Sequence, residues 1–374
     1  MLINKMLKTA ALGGLLIALT SMPAIGQIIY DQPTAGSINI EYIGWTVESD
    51  SSSTDISQLV LPISGFIPLQ DNLEMRFSVA NMSSSIDYGT DEYDLAGLND
   101  IRLQVNKSLA DDRLLLSLGV NLPTGKKELT LDEEYRVLQI LSLNFLEFPI
   151  RSLGGGMGFN IMAGGATMAG DARLGLALTY QLNGSYTPYE DYDDYDPGDQ
   201  FSVIAGADLP QGRHNLSAQA IYTAYTDDLI DGDKVFAQGD QFDLRLTDRM
   251  GGEAFAVEAL VGMLFRGNNT RYDSTEKVIE QLKLYGNEFY LFGGVTWLPE
   301  PKWSVTPSMQ FRSISDDDRD SGSSSLLGLG ATVGRQMSEK AGLSFGLTYY
   351  TGSADGGDLD ISGLRFSLGL SSTF

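Results

Sequence analysis

Side chains suited to acid–base or nucleophilic chemistry are scarce in this sequence. Cysteine is absent and His214 is the only histidine, so thiol nucleophiles are excluded and histidine-based triads are hard to build. His214 falls beside the short turn 210–213, at the end of the molecule assigned below to the periplasm, the wrong side for a Ser–His enzyme of surface lipids. Asp132 and Glu133 stand where a helix is predicted to begin, a position that the helix dipole favours. The sequence predicts neither an enzyme nor a cofactor.

One acidic stretch has oxygen ligands at spacings that could suit Ca²⁺, which takes six to eight of them. Asp191, Asp193, Asp194 and Asp196 are interleaved with tyrosines. The stretch lacks the spaced terminal glutamate of an EF-hand loop, and acidic runs are commonly solvated loops. Calcium binding and a solvated loop both stay open, and no other metal site is predicted.

Composition narrows the classes of partner. The chain has 374 residues, with 49 acidic and 25 basic side chains and a formal net charge of −24. Nucleic-acid binding is excluded because it requires clustered Lys and Arg. With 43% hydrophobic residues, the chain is too apolar to be disordered.

The first 26 residues have the pattern of an export signal. Lys5 and Lys8 precede an apolar run, Ala10–Leu19, and Ala24-Ile25-Gly26 then offers a small-x-small cleavage pattern. The apolar run is far shorter than the roughly 20 residues of a membrane-spanning helix. We expect a signal peptide over 1–26 and one domain over 27–374.

A period of two runs through the mature chain. In 342–349, Gly, Ser, Gly and Thr alternate with Leu, Phe, Leu and Tyr, and 173–180 repeats the pattern. Such alternation predicts strands with one apolar and one polar face. The candidate strands are 36–48, 55–66, 73–84, 97–108, 113–122, 153–167, 172–184, 200–209, 214–226, 240–248, 253–266, 287–297, 302–313, 326–335, 340–351 and 361–374.

The connections between these strands alternate between short turns and long polar loops. Short turns on one side and long loops on the other are typical of an outer-membrane barrel with periplasmic termini. A soluble sandwich would have no reason to sort its loops by length. The sequence therefore predicts an all-β fold: a transmembrane antiparallel up-and-down β-barrel of about 16 strands, with 14 as the alternative, and acidic extracellular loops.

The polar face of each strand is predicted to line the lumen, where selectivity would reside. Its arginines could form a positive track for anions, or they could pair with lumen acids. The candidate pathway residues are Arg76, Arg102, Arg173, Arg245, Arg312, Arg365 and Glu258, with Glu41, Asp208 and Asp243 as further lumen acids.

The segment between the fifth and sixth strands differs from the other loops. Thr130 and Glu133 form a capping box, which predicts a helix running to about residue 143. Its apolar positions have helical spacing and would bury themselves in the barrel mouth. We expect 126–150 to be a hatch or constriction; a helix on the rim or an extra strand pair is the alternative. The hatch candidates are Leu131, Tyr135, Leu138 and Leu141. A second helix, over 274–285, is predicted as a lid, with Gly286 as its stop.

The last strand carries an apolar face of Phe366, Leu368, Leu370 and the terminal Phe374. It resembles the C-terminal signature of outer-membrane β-barrel proteins, which the barrel-assembly machinery recognises. Ser372, where that pattern carries a bulky apolar residue, is a departure.

The run Leu118–Gly125 resembles a strand-end motif of the MetA-pathway phenol-degradation family, whose relatives include the long-chain fatty-acid transporters. The resemblance implies a channel for small hydrophobic or aromatic compounds. Those transporters place their hatch at the N-terminus, and residues 27–35 are too few for one.

These inferences converge on an outer-membrane channel or transporter for small hydrophobic or aromatic solutes, partly occluded by an internal segment. The alternatives are a general diffusion porin and a structural or adhesive surface barrel. The expected partners are outer-membrane lipid, lipopolysaccharide, the barrel-assembly machinery and a small-molecule solute.

Overall fold

A computed structural model of the chain describes residues 33–142, 144–192, 194–252, 254–319 and 322–374. The predicted signal peptide, 1–26, lies outside the described residues. No helix in these ranges is long and apolar enough to cross a membrane.

The alternating segments form one closed antiparallel barrel. The last strand returns to the first, so that Ala35 pairs with Thr373 and Glu48 with Asp360, and the sheet has no free end. Closure leaves every neighbouring strand paired, which a bilayer requires. The barrel segments are β1 (Ala35–Glu48), β2 (Ser53–Gln70), β3 (Leu73–Asp87), β4 (Glu92–Leu98), β5 (Ile101–Leu109), β6 (Leu114–Leu122), β7 (Gly158–Ala169), β8 (Ala172–Leu182), β10 (Gln200–Gln211), β11 (His214–Tyr225), β14 (Gln241–Gly251), β15 (Phe255–Arg266), β18 (Glu288–Glu300), β19 (Trp303–Ile314), β20 (Ser324–Gln336), β21 (Ala341–Ala354) and β22 (Leu359–Thr373).

The predicted count of 16 strands is confirmed. β4 pairs with residues 81–87 of β3, and β5 pairs with residues 73–78 of the same strand. The two segments together make the fourth barrel strand, which is interrupted at residues 99–100. The sixth predicted strand, placed at 153–167, begins later, at Gly158. Short turns gather at one end of the barrel, together with the start of β1 and the end of β22. This end is here called the turn end, and the other, where the long loops gather, the loop end.

The long loops carry a second, smaller sheet, here called the canopy. It consists of β9 (Tyr195–Asp196), β12 (Asp227–Ile230), β13 (Asp233–Ala237), β16 (Asn269–Tyr272) and β17 (Val278–Leu282). Its strands come from three successive loops and pair antiparallel. These three loops therefore contain regular secondary structure.

The helix predicted over 274–285 is wrong. β16 and β17 form a hairpin there, and the side chain of Asp273 accepts hydrogen bonds from the backbone N–H groups of Thr275 (2.8 Å) and Lys277 (3.1 Å). An Asp can cap a helix or fold a turn with the same local bonds, and here the turn forms because pairing with the canopy favours strands. Gly286 is not a helix stop either: a Cβ there would lie 1.7 Å from the carbonyl oxygen of Ser315 in the next loop.

Alternation sends apolar side chains outward along most strands. Large apolar residues cover the outer surface of the barrel, as a bilayer requires. They include Leu116, Leu118, Leu174, Leu176, Leu178, Leu244, Leu246, Leu329, Phe345 and Leu347.

The largest buried cluster lies inside the barrel near the loop end. Inward side chains of the wall, including Trp45, Ile86, Leu95 and Tyr350, pack there with side chains of the segment between β6 and β7. A smaller buried cluster lies on the neighbouring strands β6, β7, β8, β10 and β11 and consists of Leu115, Met162, Ala177, Ile204 and Ile221.

Candidate solute pathway

The segment 126–150, here called the insert, contains the helix that the sequence predicted. Helix α1 spans Glu134–Leu141, and a 3₁₀ turn follows at Asn144–Leu146. Thr130 and Glu134 form the reciprocal bonds of the helix start: the Thr130 backbone N–H donates to Glu134 Oε2 (3.1 Å), and the Glu134 N–H donates to Thr130 Oγ1 (3.3 Å). The partner of Thr130 is thus one residue beyond the predicted Glu133.

The helix buries one face against the inner wall. Val137 and Leu141 are 0% exposed, and Tyr135 and Leu138 pack against the same cluster from its edge. Leu131 is 50% exposed and does not join them. It lines an open cleft together with Glu133, Tyr189 and Tyr192.

A buried glutamine attaches the insert to β2. The Gln58 side chain is 0% exposed; its Nε2 donates to the Ile150 carbonyl (2.8 Å) and its Oε1 accepts from the Ile150 N–H (3.0 Å). Nε2 also donates to Ser84 Oγ (3.1 Å). Because the amide satisfies both backbone groups of one residue, it replaces the bonds that a neighbouring strand would supply. This role could not be predicted from the sequence, since a lone Gln on a strand is common.

A single carboxylate joins both ends of the insert. Asp100, at the interruption of the fourth strand, accepts hydrogen bonds from the N–H groups of Gly125 (2.9 Å) and Gly155 (2.8 Å). The two chain segments approach so closely that a Cβ at Gly125 would lie 2.1 Å from the Leu153 carbonyl oxygen. The insert therefore leaves and re-enters the wall at one point.

An ion-pair group lies where the insert meets β18 and β19. Arg312 bonds to Glu288 (2.5 Å), which also bonds to Arg266 (2.9 Å). Arg312 approaches Glu147 of the insert (3.6 Å) and donates to the Phe145 carbonyl (3.4 Å). Buried charges need such partners. This group holds the end of the insert against the wall.

The other lumen arginines differ in their pairing. Arg76 pairs with Glu74 (2.8 Å), Arg245 with Asp243 (2.5 Å) and Arg365 with Glu41 (2.7 Å). In the described ranges, no ion pair joins Arg102 or Arg173 to another residue. The sequence is enough to predict the first two pairs, because residues i and i+2 of a strand lie on the same face.

The two remaining lumen acids lie toward the turn end. Glu258 pairs with Arg249 (2.9 Å), and Asp208 accepts a hydrogen bond from the Ser217 hydroxyl (2.6 Å). Whether any of these charged side chains contacts a solute stays a prediction.

The acidic stretch belongs to the canopy. Asp228 of β12 accepts hydrogen bonds from the Tyr195 hydroxyl (2.6 Å) and the Gly198 N–H (2.7 Å). Burial raises the pKa of Asp228, and burial with neighbouring carboxylates raises the pKa of Asp196. Asp193 lies outside the described residues, and the residues around it form no group of three or more metal-ligating side chains where the structure describes them. Calcium binding there stays a prediction.

His214 lies at the turn end, as predicted. It is exposed, and its Nδ1 lies 2.9 Å from Asp248. No hydroxyl side chain in the described part of the chain bonds to its ring.

The C-terminus closes the barrel. The Phe374 backbone N–H donates to the Thr34 carbonyl (2.8 Å), and its side chain is exposed. Recognition of this strand by the barrel-assembly machinery stays a prediction.

The sequence matches no protein-family model and no curated protein, so the resemblance of Leu118–Gly125 to a phenol-degradation family stays a prediction. Among solved structures, the chain is similar to the TodX deltaS2S3 mutant, a monoaromatic hydrocarbon channel, with 10% identity, coverage of 96% of this chain and 94% of that one, and a TM-score of 0.51. A Pseudomonas aeruginosa FadL homologue aligns at 11% identity over 92% and 91% of the two chains, with a TM-score of 0.44. Pseudomonas aeruginosa OpdL aligns at 12% identity over 91% and 98%, with a TM-score of 0.46. At these identities the TodX similarity shows the fold alone, and the two lower scores add nothing to it.

The closed barrel with its apolar exterior is an outer-membrane β-barrel.

Proposed function

We propose that this protein is a channel for small hydrophobic or aromatic solutes, and that the insert occludes its lumen. The observation that carries the proposal is the docking of the insert inside the barrel. Val137 and Leu141 of its apolar helix face are fully buried on the inner wall, and Gln58 bonds both backbone groups of Ile150. A loop lying on the rim would not reach inward side chains of β1, β2 and β21.

The solute class follows from what the insert covers. The surface beneath it is a continuous apolar cluster with two aromatic rings, Trp45 and Tyr350. Apolar and aromatic linings with a few placed polar groups are typical of small-molecule sites. The TodX structure, which shares the fold, is of a monoaromatic hydrocarbon channel, and that solute class agrees with this surface.

The pairing of lumen charges supports the same choice over a general porin. Arg76, Arg245, Arg312 and Arg365 each have an acidic partner, so much of their positive charge is neutralised within the wall. Arg102 and Arg173 are the candidates for contact with an anion if the channel were a porin.

Single-channel conductance of the refolded protein in planar bilayers tests the proposal. The comparison is between the intact chain and a variant in which a short Gly-Ser linker replaces 127–150. Lys126 and Leu153 are kept because they bond the wall through the Leu98 carbonyl and the Asp100 N–H. We expect the intact protein to be closed and the variant to conduct. A large steady conductance of the intact protein would instead identify a porin.

A further inference from the structure

Four residues on neighbouring strands form a row inside the barrel, here called the ring shelf. Trp45 pairs in register with Gly363, Gly363 with Tyr350, and Tyr350 with Gly328, across β1, β22, β21 and β20. Bulky rings thus alternate with glycines. A Cβ at Gly363 would lie 2.4 Å from Trp45 Cε3, and one at Gly328 would lie 2.8 Å from Tyr350 Cε1. The two rings therefore rest on bare backbone, with their centroids 4.9 Å apart.

The polar groups of the two rings are not equally satisfied. The Tyr350 hydroxyl lies beside Arg365 and Gln310, and Arg365 is itself bonded to Glu41 (2.7 Å). Trp45 is 2% exposed, and its indole N–H has no hydrogen-bond partner among the residues that the structure describes. An indole N–H buried without an acceptor is costly, and buried Trp usually finds one.

The insert covers the cluster around the shelf mainly with hydrocarbon. Its contributions include Val137, Leu141, Leu146 and Phe148, whose side chains contain no acceptor. Glu147, the nearby carboxylate, is engaged by Gln310 (3.3 Å) and Arg312 (3.6 Å). The insert thus fills the apolar space but leaves the donor of Trp45 unmatched.

We infer that the ring shelf is a binding subsite for an aromatic solute that carries a hydrogen-bond acceptor and that takes the place of the insert. The solute ring stacks on Trp45 and Tyr350, and its acceptor receives the Trp45 indole N–H. This inference rests on the proposed function and deepens it, since it distinguishes an aromatic ether or carbonyl compound from a plain hydrocarbon.

Anisole and ethylbenzene are the matched probes. They have nearly the same size, and anisole has an ether oxygen, which accepts a hydrogen bond but cannot donate one, where ethylbenzene has a methylene group. Equilibrium dialysis of each probe against the full-length protein and the linker variant gives the ratio of affinities. We expect the linker variant to bind anisole about threefold to tenfold more tightly than it binds ethylbenzene, as one neutral hydrogen bond would give. Trp45→Phe should reduce the ratio to about one, because Phe keeps a ring without a donor.

Two controls separate the subsite from general effects. Trp297→Phe alters an exposed outward ring and should leave the ratio unchanged. In a Trp297→Phe, Trp303→Phe double variant, Trp45 is the only tryptophan. We expect the fluorescence emission of Trp45 to shift to longer wavelength on addition of anisole, and to shift less on addition of ethylbenzene. This readout keeps Trp45 in place and does not depend on the folding of Trp45→Phe.

The outcomes that contradict the inference differ from those that contradict the channel proposal. Equal binding of the two probes, or a preference that survives Trp45→Phe, would overturn the subsite and leave the aromatic channel standing. Failure of both probes to bind would overturn both.

Discussion

The side-chain amide of Gln58 and the peptide unit of Ile150 are joined by two hydrogen bonds, of 2.8 and 3.0 Å, inside the barrel. The two residues are 92 positions apart, and Gln58 is completely buried. This pairing fixes the insert to β2 with the geometry of a strand neighbour. We expect it to control how often the insert leaves the wall.

Gln58→Leu should raise the open fraction of the channel. The substitution keeps the side-chain volume but leaves the N–H and C=O of Ile150 without partners, at a cost of about 1–3 kcal/mol for each buried group. The measurement is the open probability in planar bilayers, together with protease cleavage within 127–150. Gln104→Leu is the matched control, because Gln104 bonds to Asn106 and Ser117 and not to the insert. Unchanged gating in Gln58→Leu would contradict the role of this pairing.

Leu141→Ala should affect gating and Leu131→Ala should not, although both residues were predicted as hatch positions. Leu141 is fully buried, and its truncation should weaken docking of the insert by about 2–5 kcal/mol. Leu131 is half exposed, so its truncation should leave gating unchanged. Measuring the conductance and the protease cleavage rate of the two variants tests which of the two residues holds the insert on the wall. Equal effects would show that the helix face is assigned wrongly.

Gly363→Ala should destabilise the loop end of the barrel. The new methyl group would collide with the Trp45 ring, and overpacking of this kind costs about 1–3 kcal/mol. Gly293→Ala on β18 is the control, because a Cβ there meets no atom within 4 Å. The denaturant midpoint of the detergent-folded barrel is the measurement. A midpoint for Gly363→Ala that equals that of Gly293→Ala would mean that Trp45 can move away at no cost.

The canopy should become more stable as the pH falls. The pKa of Asp228 is raised by burial, so the folded canopy binds a proton more tightly than the unfolded one. Stability is therefore gained as the pH falls through the folded pKa and lost as it rises. Hydrogen exchange of 227–237, measured from pH 7.5 down to pH 4 and corrected for the intrinsic rate, should show increasing protection as the pH falls. Asp228→Asn should weaken this trend without removing it, because the pKa of Asp196 on the adjoining strand β9 is raised as well. Asp233→Asn, at an exposed position of the same hairpin, should preserve the full trend. Protection that decreases toward pH 4 would contradict the raised pKa of Asp228.

The strand count and the helical insert could be predicted because both depend on local periodicity. Alternation places sixteen strands, and the polar spacing at Thr130 marks a helix start. Where two structures share one local signal, the prediction fails: the Asp273 turn resembles a helix cap, and only pairing between β16 and β17 selects the hairpin.

Long-range pairing explains most of what the sequence could not predict at the site. Gln58, Asp100 and the Arg312–Glu147 contact join segments far apart in the chain. The register of the closed barrel decides which inward side chains meet. For Trp45, a signal was present: Ile43 and Trp45 put apolar groups on the face of β1 that should be polar, which indicates that something covers the lumen there.

The interruption of the fourth strand at residues 99–100 bears on how the barrel wall is completed. On either side of it, the Leu98 carbonyl accepts from the Lys126 N–H, and the Asp100 N–H donates to the Leu153 carbonyl. The two ends of the insert thus complete the hydrogen-bond ladder of the wall. Without those two chain segments, the Leu98 carbonyl and the Asp100 N–H would lack these partners. We therefore expect the barrel wall to be complete at this height only when the insert is folded inward.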